Sequence, residues 1–188
     1  MELNRNAAYE LLLKYNKKDN LIKHALSVEA AMRKLAEVKG EDPEKWGILG
    51  LLHDLDYDMY PDEHCYKSKE LLEQNGYPED IIRAMMCHGY GICTDVEPIT
   101  DMEKAIYAVD ELTGLITAAV LVRPSKSIMD LEVKSVKKKW KDKAFAAGAN
   151  REVIQKGADM LGIELSELIG YTIDGMKNVA SEIGLAGE

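Results

Sequence analysis

Apolar residues recur at steps of three and four through much of this sequence, and that spacing predicts helices and no strands. The clearest series consists of Leu21, His24, Ala25, Val28, Met32 and Leu35. A histidine therefore lies on a helix face that otherwise turns toward a protein core. Aromatic residues make up only 6% of the chain, and their scarcity also favours helices over sheets. We expect an all-α fold.

Caps, glycines and prolines indicate where the helices begin and end. We expect helices over about 19–39, 43–52, 62–75, 78–88 and 101–122. Asp19 is expected to cap the first of them, and Gly40 to end it in a left-handed conformation. Two or three further helices should fill the rest of the chain, with boundaries near Gly148, Gly162 and Gly170.

Length, charge and cysteine pattern limit the classes of protein that fit this chain. Its 188 residues are enough for one core, so we expect a single domain over 1–188. Cys65, Cys87 and Cys93 form no C-x-x-C pair and are expected to be reduced thiols. No signal peptide or long uncharged apolar segment is evident, which predicts a cytoplasmic protein without membrane contact. The net charge of −9 makes nucleic acid an unlikely partner.

All four histidines fall at inward-facing or helix-end positions. The segment GLLHDLDYDMYPDEH, residues 50–64, ends an apolar helix in His53-Asp54 and reaches His64. His64 is in register with the inner positions of the next expected helix, and His88 is in register with buried positions of its own. Asp110 lies on an otherwise apolar face, whose other members are Ile106, Val109, Thr113, Ile116 and Val120.

These residues have an ordinary structural explanation and a functional one. A single histidine on an apolar face is usually a hydrogen-bonded core residue, and a buried Asp110 could pair with a lysine or accept helix N–H bonds. Burying all of these groups without a cation would cost several kcal/mol for each uncompensated group. The combination therefore favours a metal site.

The order of these residues resembles the HD-domain metal-dependent phosphohydrolases. That family has a histidine on an early helix, a His-Asp pair that closes a later apolar helix, and an aspartate well downstream. His24, the pair in LLHDLD and Asp110 in AIYAVDELTG match this pattern. Members with two metals add two histidines in between, and His64 in PDEHCYKSKELL and His88 in AMMCHGYG match those positions. The resemblance covers about residues 20–120.

The resemblance implies an HD-type helical bundle with a five-helix metal-binding core and additional C-terminal helices over about 123–188. It implies that one divalent metal is held by His24, His53, Asp54 and Asp110. His64 and His88 hold a second, with Asp54 bridging the two as the catalytic residue. Imidazole and carboxylate ligands suit Fe, Mn, Zn, Co or Ni, and two such cations would supply a metal-bridging hydroxide to attack phosphorus.

The chain departs from the family pattern directly after the His-Asp pair. Many dinuclear members read His-Asp-x-Gly-Lys, whereas Asp56 and Tyr57 take the Gly and Lys positions here. This departure argues against the cyclic-dinucleotide phosphodiesterase branch. Asp56 and Asp58 either support ligand imidazoles or cap the helix end and face solvent. Cys65 and Cys87 neighbour ligand histidines, but a helix would turn them away by about 100°.

A basic segment directly follows the helix that carries Asp110. Residues 123–143 contain eight basic and three acidic residues, a local charge of +5. Arg123, Lys126 and Lys134 are the candidates for binding a substrate phosphate. A solvated helix face is the alternative explanation of the same charge run.

The leading hypothesis is a metal-dependent phosphohydrolase that acts on a small phosphate ester or nucleotide. A di-iron HD-type oxygenase is the main alternative, because some proteins with the same ligand order activate dioxygen. A catalytically silent regulatory module with a structural metal is a third, although a structural role does not need two metals with open positions.

Overall fold

Nine α-helices make up most of the part of the chain that the computed structural model describes, residues 3–187. They are α1 Arg5–Tyr15, α2 Asp19–Lys39, α3 Pro43–Leu52, α4 Tyr66–Gln74, α5 Glu79–His88, α6 Asp101–Leu121, α7 Val133–Trp140, α8 Arg151–Leu161 and α9 Leu165–Lys177. These residues contain no strand beyond two isolated bridge pairs. The predicted all-α fold is confirmed.

Several helix ends follow the expected capping chemistry. Gly40 and Gly162 end α2 and α8 in the left-handed conformation. The hydroxyl of Thr100 accepts the backbone N–H of Glu103, whose carboxylate caps Thr100 in return, and this capping box starts α6. One expected cap was wrong, because Asp19 is the first residue of α2 and the cap position belongs to Lys18.

Two boundaries differ from the sequence-based expectation. The helix expected over 62–75 is split into a short 3-10 helix, Pro61–Glu63, and α4. Between the two, Cys65 has a positive φ of 70°, which no continuous right-handed helix can contain. Gly170 is not a boundary, because it lies inside α9.

Helix α2 lies at the centre of the fold and packs against α3, α6 and α9. Close approach depends on glycine at two of these contacts. A Cβ at Gly50 of α3 would lie 2.8 Å from the carbonyl oxygen of Val28, and one at Gly175 of α9 would lie 2.5 Å from that of Ala30. Because these helices meet almost backbone to backbone, the last turn of α3 lies beside the middle of α2.

The C-terminal helices share the core of the preceding ones. Helix α8 packs against α6, and α9 packs against α2. Ile154 of α8 and Met176 of α9 are completely buried, within the same apolar cluster as Met32 of α2 and Ile116 of α6. Within residues 3–187, no helix has the length and apolar character needed to cross a membrane.

Candidate metal centre

Five helical segments bring the six expected ligands to one place. His24 is on α2, and His53 and Asp54 close α3. The remaining three are His64 in the turn before α4, His88 at the end of α5 and Asp110 on α6. All except the buried His53 line a cavity of about 510 Å³.

Two of the imidazoles are held by carbonyl groups in the last turn of their helices. His53 donates its Nδ1–H to the carbonyl of Gly50 at 2.8 Å, and His88 donates its own to the carbonyl of Met85. Carbonyls in a final helical turn lack the partner that a continuing helix provides, so they are free to accept these bonds. Each Nε2 atom is left with a lone pair that can bind a metal.

The other two imidazoles are held by side chains. His64 donates its Nδ1–H to the carboxylate of Asp56 at 2.8 Å. The Nδ1 of His24 lies 3.5 Å from the hydroxyl of Thr113. All four histidines therefore turn Nε2 toward the centre of the site, and a partner on Nδ1 is how metal-binding histidines are usually oriented.

One group of ligand atoms surrounds Nε2 of His53. This atom is buried and has no hydrogen-bond partner. It lies 3.4 Å from Oδ1 of Asp110 and 3.5 Å from Oδ2 of Asp54. Nε2 of His24 is 2.9 Å from the same Asp110 oxygen. A buried nitrogen without a partner, facing two carboxylates, has the chemistry of a metal ligand.

A second group lies on the other side of Asp54. The Nε2 atoms of His64 and His88 are 3.2 Å apart. Oδ1 of Asp54 is 3.6 Å from the first and 3.4 Å from the second. Because Oδ2 of the same carboxylate faces His53, Asp54 presents one oxygen to each group.

The charges in the site stabilise one another. Burial lowers the pKa of His53, but the negative charges of Asp54 and Asp110 outweigh burial and raise that pKa to about 9. Burial raises the pKa of each of the two aspartates, and the charge of His53 outweighs it and holds both well below their usual range. Without a cation, His53 therefore carries a proton near neutral pH, and a bound metal would replace that proton on Nε2.

A family model described as HD domain matches residues 21–115. The chain belongs to the HD domain family. Membership places the chain in a superfamily of metal-dependent phosphohydrolases, as the sequence predicted. The matched residues run from α2 into α6 and include all six expected ligands, whereas α7, α8 and α9 lie outside the match.

A curated protein gives a weaker similarity. Ribonuclease Y of Oleidesulfovibrio alaskensis is 29% identical to the chain over 141 residues, which cover 71% of this chain. The match spans only 26% of that protein's length. No solved structure matches this chain.

The two aspartates after the His-Asp pair have different surroundings. Asp56 is completely buried, and its carboxylate accepts the Nδ1–H of His64 and the backbone N–H of Ser68 at 2.8 Å each. Asp56 therefore orients an imidazole, which is one of the two alternatives from the sequence. Asp58 instead accepts the backbone N–H groups of Lys17 and Lys18 and takes no part in the site.

Cys65 is buried in the apolar core, but the expected direction of its sulfur was wrong. Its Sγ lies 3.7 Å from Nε2 of His88, because the positive φ of Cys65 replaces the helix that would have turned the sulfur away. Cys87 does point away from the site and contacts Arg83.

The three basic residues proposed for phosphate binding are not among the residues that line the cavity. The Arg123 guanidinium forms an ion pair with Asp130 at 2.9 Å. Lys134 pairs with Glu132. Lys126 is in the turn after α6 with a positive φ of 45°. The structure thus brings the ligand candidates together and leaves these residues elsewhere.

The segment 141–150 forms a wall of the cavity that sequence reasoning missed. Ala146, Gly148 and Ala149 line the cavity, and the backbone N–H of Asn150 bonds to the carboxylate of Glu111 on the facing helix at 2.9 Å. One side chain organises the segment and the end of α7. Arg151 donates hydrogen bonds to the carbonyl groups of Lys139, Trp140, Asp142, Phe145, Ala146 and Ala149.

Proposed function

We propose that this HD domain is a metal-dependent phosphohydrolase that acts on a small phosphate ester or nucleotide. One observation carries the proposal. Asp54 turns one oxygen toward each of two groups of imidazole nitrogens, and one of these nitrogens, Nε2 of His53, is buried without a partner. This is the arrangement that a carboxylate bridging two cations requires.

The residues divide between two metal positions. His24, His53, Asp110 and one oxygen of Asp54 would hold the first cation, and His64, His88 and the other Asp54 oxygen would hold the second. Two divalent cations, when bound, acidify water and neutralise negative charge on a phosphoryl group. Fe, Mn, Zn, Co and Ni fit the nitrogen and oxygen donors.

The residues that line the cavity determine which substrate groups can bind beside the metal positions. Its described lining includes no lysine or arginine, so the charge of a phosphate is met at the metal positions. Tyr57 and Ile92 provide exposed apolar surface beside them. The Tyr57 ring packs edge-on against His64, with ring centres 5.0 Å apart. The remainder of an ester can lie against this surface while the phosphate faces the ligands.

RNA is the second candidate substrate class. The curated relative is by its name a ribonuclease, so the sequence-based expectation that nucleic acid is an unlikely partner has no support. An RNA phosphodiester presents the same phosphoryl chemistry to two cations as a small ester does. The substrate panel must therefore contain both.

The test is hydrolysis by protein loaded with Mn, Co, Ni or Fe. An aryl phosphate, nucleoside monophosphates and a short single-stranded RNA are supplied in parallel. We expect release of phosphate or cleavage with at least one of them, and loss of most of that activity in Asp54→Asn. Asp58→Asn is the matched control, because it makes the same chemical change outside the site, and it should retain activity.

The oxygenase alternative predicts a different experimental result. Fully metallated protein that hydrolyses nothing in the panel but consumes oxygen in the presence of a substrate would overturn the phosphohydrolase. Full metallation without either activity would favour the regulatory module.

A further inference from the structure

The backbone at Cys65 has a positive φ of 70°, which changes the direction of its side chain. Cys65 is one of three non-glycine residues between 3 and 187 with a positive φ. A side chain makes this conformation unfavourable, and such strain is found preferentially at functional sites. Here the positive φ separates the short 3-10 helix Pro61–Glu63 from the first residue of α4.

This turn directs two adjacent residues toward the same point. Neighbours in a helix point about 100° apart, yet both His64 and Cys65 face His88. Cys65 Sγ is buried and lies 3.7 Å from Nε2 of His88. The ligand atoms of His64, Cys65 and His88 all lie within 4.8 Å of one another.

The spacing of the two imidazole nitrogens and the Asp54 oxygen fits one cation. Zinc bound tetrahedrally at about 2.0–2.1 Å from nitrogen or oxygen and about 2.3 Å from sulfur keeps its donors roughly 3.3–3.6 Å apart. The two imidazole nitrogens are 3.2 Å apart, and Asp54 Oδ1 is 3.4 and 3.6 Å from them. The sulfur of Cys65 lies 3.7 Å from Nε2 of His88 and within 4.8 Å of the ligand nitrogen of His64, so it borders the same position.

We propose that Cys65 supplies a thiolate ligand to the second metal position, beside His64 and His88 and in addition to the Asp54 oxygen. This inference rests on the two-metal centre of the proposed function. On binding, the S–H bond breaks, a sulfur–metal bond forms and the proton passes to solvent. A thiolate among the donors favours Zn, Fe or Co over Mn at this position.

Cys93 provides a matched comparison for Cys65. Its Sγ lies 2.9 Å from that of Cys65. Gly89 makes room for both sulfurs, because a Cβ there would lie 2.8 Å from Cys65 Sγ and closer still to Cys93. Cys93 does not belong to the group of donor atoms that lie within 4.8 Å of one another. The two thiols thus share one contact but differ in their relation to the histidines.

The experiment uses the absorption spectrum of the full chain titrated with Co(II), which needs no substrate. We expect a sulfur-to-cobalt charge-transfer band that grows as the second position fills. Cys65→Ser should lose the band and bind the second Co(II) at least about tenfold more weakly. Cys93→Ser should keep both the band and the affinity.

X-ray absorption of the wild-type protein loaded with zinc provides a measurement that needs no variant to fold. A sulfur atom in the zinc ligand shell supports the proposal, and a shell of nitrogen and oxygen alone overturns it. A band that persists in Cys65→Ser and disappears in Cys93→Ser also overturns it, because the ligand is then Cys93.

The same titration separates this inference from the proposed function. Two Co(II) ions per chain without a sulfur band refute the thiolate ligand and leave the two-metal centre intact. Binding of a single Co(II) ion without the band refutes both.

Discussion

His64 and the buried Asp56 form a pair in which the imidazole Nδ1–H bonds to the carboxylate at 2.8 Å. The second oxygen of Asp56 accepts the backbone N–H of Ser68 near the start of α4. The carboxylate therefore connects the orientation of a ligand imidazole to the first turn of a helix. Its negative charge also makes Nε2 of His64 a stronger donor to a cation.

Asp56→Asn should weaken metal binding at the second position and spare the first. The amide keeps an acceptor oxygen but loses the charge, and we expect a loss of affinity of roughly 10–100-fold. Isothermal titration with Zn(II) measures both positions. Asp58→Asn is the control, since Asp58 bonds to the backbone of Lys17 and Lys18. Equal loss at both positions would contradict the assignment of His64 to the second metal.

His53→Ala and His64→Ala should differ in metal content and stability. Without His53 the first position empties, and Asp54 and Asp110 are left facing each other without a neutralising charge, so the melting temperature should fall. His64→Ala should leave about one metal per chain in a folded protein. Elemental analysis and thermal melting compare the two variants directly. Wild-type metal content in His64→Ala would mean that the centre is mononuclear or is built from other residues.

Arg151→Ala should disorganise the cavity wall without emptying the metal positions. Six carbonyl groups lose a hydrogen bond from the guanidinium, and we expect kcat/KM to fall by about tenfold or more through lost positioning. Arg151→Lys should recover only part of this, because an ammonium group has fewer donors than a guanidinium. Arg123→Ala is the control, since Arg123 pairs with Asp130 and does not line the cavity. If a protease cleaved segment 141–150 at the same rate in Arg151→Ala as in the wild type, this role of Arg151 would be contradicted.

Glu103→Gln should lower the free energy of unfolding by about 1–2 kcal/mol at neutral pH. Burial raises the pKa of Glu103, but hydrogen bonds from Thr100 and Ile99 together with the Arg83 guanidinium hold it below its usual value. A carboxylate with a lowered pKa stabilises the fold above its unfolded value, about pH 4.3, and this contribution is lost as the pH falls through the folded value. Urea unfolding from pH 7 to pH 3 should therefore show the difference between wild type and variant shrinking below about pH 4.

Glu79→Gln is the control for this pH series, because Glu79 is an exposed carboxylate in the first turn of α5. It should show a smaller difference at neutral pH. A Glu103→Gln difference that does not change with pH would mean that the lost hydrogen-bond geometry, and not the charge, destabilises the variant.

The parts of the site predicted from sequence are those encoded by local rules. His24 and Asp110 were found because helical periodicity places them on apolar faces, and both lie in helices with clear boundaries. His53-Asp54 ends an apolar helix in the sequence and in the structure. Family resemblance contributed the grouping of these residues around metals.

The parts that were missed depend on single backbone angles or on distant partners. Nothing in PDEHCYK indicates that Cys65 adopts a positive φ, so helical spacing gave the wrong direction for its sulfur. The residues around 141–150 looked like the end of a basic run, because charge was visible and the carbonyl partners of Arg151 were not. Arg123 was assigned from proximity in sequence to Asp110, and its pairing with Asp130 could not be inferred from that proximity.

The Arg151 guanidinium holds several carbonyl groups of the cavity wall at once, and this affects how segment 141–150 can open. Carbonyl groups from Lys139 to Ala149 accept hydrogen bonds from the same guanidinium, so displacing Arg151 removes these bonds together. A segment held in this way opens as one cooperative unit and not residue by residue. Loss of this one contact would therefore change the shape of the cavity on this side in a single step.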